Sequence, residues 1–283
     1  MIFIFISIFA FNLFISIVIS KNFNVLFNQY RKLDIIAHRG GGNLGAENTL
    51  ESIEEAIKEK VNWTEIDIQR TKDNHYIINH DKNFKRLTGD SRSPEEMTLK
   101  DIKNLLIKNE FDNSKKKQKV ATLDEVIKIS KRNIGLFIEL KGLTADKKMV
   151  DDIVRKVKEN KIKNEIVLLS LDYSLIEYIE ETYPYIETGY LYFFALGEKE
   201  KMIGDYMVME EREAILDNIY EIHNAKKKVI VWTVNTKSSI KKFVNMPLDG
   251  IITDYVKELK NEIKENQNMS DLEIIIDGIF GFE

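Results

Sequence analysis

From Asp34 onward, short runs of apolar and β-branched residues alternate with longer stretches whose apolar positions recur at helical spacing. The short runs predict strands at Asp34–Ala37, Trp63–Ile68, Leu136–Leu140, Ile166–Leu169, Thr188–Tyr192, Tyr206–Met209, Val229–Val234 and Gly250–Thr253. A further run, Tyr76–Asn79, reads as an extra strand beside the second. Helix starts are marked between them: Asn48 followed by Glu51, and Thr122 followed by Glu125, have capping-box spacing. Asp172 and Ser174 open a helix ending near Tyr183–Pro184, and Glu211–Ala225, Lys237–Phe243 and Tyr255–Lys264 supply later ones. Parallel strands need crossover connections, so this alternation predicts a parallel α/β sheet. Eight units in roughly 230 residues fit a closed (β/α)8 barrel of the TIM type, with an open doubly wound sheet as the runner-up. The polar stretch 82–120 is too long for an ordinary connection and reads as an insertion after the second strand, with a helix at Thr98–Lys108.

The first twenty residues break this pattern. Met1 to Ser20 carries no charge and is almost wholly Ile, Phe, Leu, Val and Ser, long enough to cross a bilayer as one helix. A basic start and a small-residue cleavage site are both lacking, so a transmembrane anchor is expected rather than a cleaved leader. A last span of a longer membrane region is the alternative. Lys21, Arg31 and Lys32 follow it and favour a cytoplasmic catalytic domain. The expected organisation is an anchor at 1–27, a barrel domain at 28–265 and a tail at 266–283. Net charge is -4, from 42 basic and 46 acidic residues, which provides no field for nucleic acid. There is no cysteine, which excludes disulfides and thiolate metal sites.

Candidate chemistry gathers at strand ends. The period of two in Trp63-Thr-Glu-Ile-Asp-Ile-Gln69 puts Glu65 and Asp67 on one face, where they repel unless a cation or base lies between them. Glu139 and Lys141 share a face in the same way. The C-terminal ends of barrel strands carry active sites, so these groups converge on one mouth. Three carboxylates without cysteine make a hard oxygen site suited to Mg²⁺ or Ca²⁺. Two of the four histidines, His38 and His80, stand at strand ends and suit general acid–base work on a phosphodiester. His75 and His223 fit surface or capping roles. Gly40, Gly41 and Gly42 allow a sharp turn and close approach to a ligand, but the run lacks dinucleotide-binding spacing.

Together the motifs resemble the glycerophosphodiester phosphodiesterase family. They are His38-Arg-Gly, Glu47-Asn-Thr49, Glu65-x-Asp67, Thr71-x-Asp73, His80-Asp81, Thr122-Leu-x-Glu125, Glu139-Leu-Lys141, Trp232-Thr-Val-Asn235 and Asp249-Gly-Ile-Ile-Thr-Asp254, spanning Asp34 to Lys260. The resemblance implies a TIM barrel with an insertion after the second strand and a divalent cation, Ca²⁺ or Mg²⁺, on Glu65, Asp67 and Glu139. It implies His38 and His80 as the acid–base pair, with Arg39 and Lys141 neutralising phosphate oxygens, Glu47 in the substrate site at or near the cation, and Trp232 against the substrate. The implied reaction is hydrolysis of a glycerophosphodiester to glycerol 3-phosphate and an alcohol, with water or the neighbouring glycerol hydroxyl as nucleophile. A phospholipase D-like reaction on lysophospholipids is the alternative, and an inactive binding module at the membrane is a third reading. Ala46 and Ala121 stand where the family has Pro, and Lys226-Lys-Lys228 where it commonly has Gly. No expected catalytic residue type is missing.

Overall fold

A computed structural model describes residues 33–162, 165–194, 198 and 201–268. The expected anchor at 1–27 and positions 269–283 of the expected tail lie outside the described residues. Among the described residues no helix is long and apolar enough to cross a membrane.

The strands are β1 (Asp34–Ala37), β2 (Trp63–Arg70), β3 (Tyr76–Ile78), β4 (Leu106–Ile107), β5 (Gln118–Lys119) and β6 (Gly135–Leu140). They continue with β7 (Ile166–Ser170), β8 (Glu187–Tyr192), β9 (Tyr206–Glu210), β10 (Lys228–Trp232) and β11 (Gly250–Thr253). Hydrogen bonding runs β1-β11-β10-β9-β8-β7-β6-β2, all parallel, and β1 pairs again with β2 through Ile36↔Trp63 and Ala37↔Thr64. The sheet therefore closes into an eight-stranded barrel, and the open doubly wound alternative falls. The extra strand β3 lies antiparallel on β2.

The barrel helices are α1 (Leu50–Lys58), α4 (Leu123–Ser130), α5 (Lys147–Asn160), α6 (Tyr173–Thr182), α7 (Leu216–Asn224), α8 (Lys237–Val244) and α9 (Val256–Asn268). Two short ones, α2 (Lys85–Thr88) and α3 (Leu99–Ile102), belong to the insertion. The Thr122–Glu125 capping box starts α4 as expected. Helix α1 starts one residue later than expected, because Asn48 is committed to Asp67 and leaves Thr49 and Ser52 to form the box. The helix expected at 98–108 stops at Ile102. The chain then pairs Leu106 and Ile107 with Gln118–Lys119, and this tertiary contact wins over local helical pattern. Tight turns after Glu210, such as Glu213 N donating to Glu210 O at 3.0 Å, delay α7 to Leu216. Helix α9 runs three residues into the expected tail.

Side-chain alternation sorts the core into layers. Ile35, Ile66, Ile138 and Leu168 point outward and pack beneath the helices, whereas Ile36, Phe137, Val167, Tyr206, Val208 and Ile230 fill the barrel. Phe137 meets Trp63 and Tyr206 edge-on at 5.1 and 5.3 Å; burying such a ring stabilises the fold by about 2–3 kcal/mol. The insertion has its own small core of Phe84, Leu87, Met97, Ile102, Ile107 and Val120, packed on Ala46 and Ile77.

Candidate active site

The inward parity that places Ile36, Phe137 and Ile230 in the barrel continues past the C-terminal ends of the strands, where the residues become polar. Position 38 follows β1, positions 65 and 67 lie in β2, 139 lies in β6 and 141 just follows it, 232 ends β10 and 254 follows β11. His38, Arg39, Glu65, His80, Glu139, Lys141 and Trp232 all line one cavity at this mouth, with Leu171, Leu191, Phe193 and Ile252 as its apolar wall.

Glu65, Asp67 and Glu139 offer oxygen atoms that lie within 4.8 Å of one another, all three residues buried. Like charges this close oppose each other's ionisation. Burial, then Asp67 and Glu139, pushes the Glu65 carboxyl well above its usual range. Burial and Asp67 together push Glu139 up to about 7. Asp67 is held low instead: burial opposes its charge, but Lys141, His80, Arg39 and the Asn48 amide outweigh that. Lys141 Nζ reaches Asp67 Oδ1 at 3.1 Å and Glu139 Oε1 at 2.9 Å. Glu65 Oε2 accepts the Arg39 backbone N–H at 2.9 Å, while its Oε1 is buried with no donor. An orphaned buried carboxylate oxygen beside two further acids fits a divalent cation bound by hard oxygen ligands.

Each imidazole is fixed at one nitrogen. His38 Nδ1 lies 2.8 Å from Asp254 Oδ1, and Asn235 Nδ2 donates to the other oxygen of Asp254 at 2.5 Å. His80 Nδ1 lies 2.9 Å from Asp81 Oδ1. Gln69 Nε2 holds the segment around His80 by donating to the carbonyls of Asn79 at 2.7 Å and Asp81 at 2.8 Å. An ionised carboxylate only accepts, so both rings carry their proton on Nδ1 when neutral and turn Nε2 to the cavity. Burial lowers the His80 pKa, and Lys141 and Arg39 add to that. His75 pairs with Asp73 at 3.4 Å and His223 with Asp249 at 2.9 Å, both away from the cavity.

Arg39 sits in the left-handed region (φ 49°, ψ 47°), a conformation costing a non-glycine residue on the order of 1 kcal/mol. That twist aims its N–H at Glu65 and its guanidinium at Glu47, 3.1 Å away. Glu47 does not join the three-carboxylate group and does not line the cavity. It lies between Arg39 and Arg86, which Glu47 Oε1 meets at 2.6 Å. The glycine run makes a sharp turn, with Gly40 and Gly42 at positive φ, and lets the chain pack closely on itself. A Cβ on Gly42 would lie 2.4 Å from the Asp254 carbonyl oxygen, and one on Gly41 2.4 Å from that of Ser52. Trp232 donates Nε1–H to Val208 O at 3.1 Å and packs edge-on against Phe193 at 4.9 Å. Asp254, Asn48, Gln69 and Arg86 were not singled out from sequence; for Asp254 and Asp81, standing inside strand-end motifs was the available signal.

A parallel (β/α)8 barrel with acids, imidazoles and cations at its C-terminal mouth defines a class of barrel hydrolases. Residues 38–258 match the model of the glycerophosphoryl diester phosphodiesterase family, and the chain belongs to that family and is an enzyme of that type. It is 26% identical over 237 residues to a glycerophosphodiester phosphodiesterase of Caldanaerobacter subterraneus, covering 82% of this chain and 98% of that one. A phosphodiesterase of Oleispira antarctica, solved in complex with the product sn-glycerol-3-phosphate, superposes with a TM-score of 0.71 at 23% identity, covering 82% of this chain and 96% of its own. The glycerophosphodiester phosphodiesterase of Agrobacterium tumefaciens superposes equally well at 16% identity, covering 81% of this chain and 99% of its own.

Proposed function

We propose that the enzyme hydrolyses glycerophosphodiesters to sn-glycerol 3-phosphate and an alcohol, using His38 and His80 as the acid–base pair. The observation that carries this reading is the pair of imidazoles. Each is pinned at Nδ1 by a carboxylate, and each presents Nε2 to a cavity that also holds two fixed cations and a three-carboxylate group. In the proposed reaction one Nε2 accepts the nucleophile's proton and the other donates a proton to the leaving alkoxide. Arg39 and Lys141 neutralise the non-bridging phosphate oxygens, whose charge grows in the transition state. Glu65, Asp67 and Glu139 would hold a divalent cation, Ca²⁺ or Mg²⁺. When bound, such an ion supplies Lewis-acid polarisation of a phosphoryl oxygen. The solved relative bound to sn-glycerol-3-phosphate supports the same product here.

A second reading, cleavage of lysophospholipids, is favoured by the cavity's apolar wall, where Leu171 is 43% and Phe193 61% exposed. Such a substrate also suits attachment to a membrane through residues 1–27, which we propose on the uncharged apolar run of residues 1–20. The test follows glycerol 3-phosphate release from glycerophosphocholine, and choline release from lysophosphatidylcholine, with Ca²⁺, with Mg²⁺ and with chelator. Metal-dependent glycerol 3-phosphate release is expected. Choline release from the lysolipid alone would transfer the assignment to the second reading, and inactivity on both would refute the hydrolase.

A further inference from the structure

Arg86 belongs to the insertion and does not line the cavity, yet it makes more charged contacts than any of the groups that do. Its Nε donates to Asp81 Oδ2 at 2.7 Å, its NH2 to Glu47 Oε1 at 2.6 Å and its NH1 to Glu47 Oε2 at 2.9 Å. NH1 also meets Glu110, which Lys108 pairs from its other side. Asp81 is the partner of His80 Nδ1, and Glu47 is the partner of the Arg39 guanidinium. One continuous chain therefore runs His80–Asp81–Arg86–Glu47–Arg39. It starts and ends at cavity groups and passes through the insertion between them.

We propose that Arg86 is a positioning residue for the hydrolysis: it sets the orientation and tautomer of His80 through Asp81, and the placement of Arg39 through Glu47. This rests on the proposed assignment of His80 and Arg39. The inserted segment becomes a support for the catalytic groups rather than a decoration of the barrel. Its local structure is built for the task. Phe84 and Leu87 bury on either side of Arg86, Thr88 Oγ1 donates back to Phe84 O at 2.9 Å, and left-handed Gly89 closes α2. The Arg86 stem thus leaves a fixed turn, and its head is a planar fork that holds two carboxylates at once. A lysine ammonium has no such geometry. By sharing Glu47, Arg86 also keeps that carboxylate from neutralising Arg39 alone, so that Arg39 retains positive character for an anion.

The consequences differ for the two ends of the chain. Without Arg86, Asp81 loses the donors that fix it, and the His80 ring loses its Nδ1–H preference; kcat falls. Glu47 then closes on Arg39 alone, and KM rises. The experiment compares wild type with Arg86→Met, Arg86→Lys, Asp81→Asn and the Arg86→Met/Asp81→Asn double variant, by steady-state kinetics and by ¹⁵N imidazole spectra. The protein has four histidines, and His80 is assigned by loss of its signal in His80→Gln. We expect both Arg86 variants to lose at least tenfold in kcat, with KM rising severalfold. The double variant should have a kcat no lower than Asp81→Asn, because Arg86 reaches His80 only through Asp81, whereas its KM should still rise through Glu47. The His80 spectrum should move from the Nδ1–H form in wild type toward a tautomer mixture in both Arg86 variants. A kcat of either Arg86 variant within threefold of wild type would overturn the proposal, as would kcat losses that multiply in the double variant. The spectrum is read whether or not turnover is found. An unchanged His80 signal in a folded Arg86 variant therefore sinks the positioning role, whereas an inactive wild type with the expected shift sinks only the proposed reaction. Arg86→Lys keeps the aliphatic stem and the charge, so it serves if Arg86→Met fails to fold.

Discussion

His38 illustrates how little of a catalytic side chain's environment needs to be packing. Its ring is 16% exposed, hydrogen-bonded on one nitrogen and 3.9 Å from Glu65 on the other, too far for a bond. His38→Ala should therefore unfold at nearly the wild-type temperature while losing at least 100-fold in kcat, the usual scale for general acid–base groups; near-normal turnover would refute its role. Glu65 presents the opposite balance. A buried carboxylate with one oxygen unpartnered destabilises the fold unless a cation meets it. Glu65→Gln removes the charge and keeps the shape. In chelator the variant should melt no lower than wild type, whereas added Ca²⁺ or Mg²⁺ should raise the melting temperature of wild type alone. A metal-induced shift of equal size in both would remove Glu65 from the cation site.

At the scale of elements, Asp152 helps tie α5 to the sheet. Its carboxylate accepts from the Tyr76 hydroxyl of β3 at 2.7 Å, from Lys148 at 2.6 Å and from Arg155 at 2.8 Å. Burial opposes its charge, but Lys148, Tyr76 and Arg155 outweigh that and hold the carboxyl down at about 2. A depressed carboxylate pKa contributes stability that is present above the unfolded value near 4 and lost as pH falls toward 2. Lys148 and Arg155 are mostly exposed, so screening reduces the contribution to about 1 kcal/mol. Asp152→Asn should accordingly be less stable than wild type by that amount in urea titrations at pH 6, with the gap closing near pH 2. A gap that stays constant across this range would show that the carboxylate charge is not involved. Element legibility followed the same physics. Strands buried on both faces, such as Ile166–Ser170, announced themselves as apolar runs, and the box at Thr122 was visible because its partners are three residues apart. The stop after Ile102 was not, because it depends on Gln118 and Lys119 arriving from elsewhere.

For the whole molecule, parity along the strands made the acids of the site readable. Glu65, Asp67 and Glu139 had to face one way once their strands were assigned. The Glu47–Arg86 pair was not legible, because the two residues meet across 39 positions, from a loop and an insertion that carry no periodicity. What Gly41 and Gly42 pack against was hidden for a related reason, since that backbone belongs to α1 and to the turn after β11. Removal of residues 1–27 lies at this scale too. The remaining barrel is expected to stay in the supernatant after centrifugation with full activity, whereas the intact chain sediments with membranes. A truncated protein that still sediments would reject attachment through that segment.

His38 and its partner Asp254 stand 216 positions apart, just beyond the first barrel strand and just beyond the last. A chain emerging from the ribosome therefore exposes the His38 imidazole before the rest of the barrel, and receives the carboxylate that orients it only when nearly the whole barrel has been made. Until β11 arrives, β1 holds to the sheet through two residue pairs with β2. Partial chains released early would carry the acids and both histidines of the mouth and still lack an aligned His38.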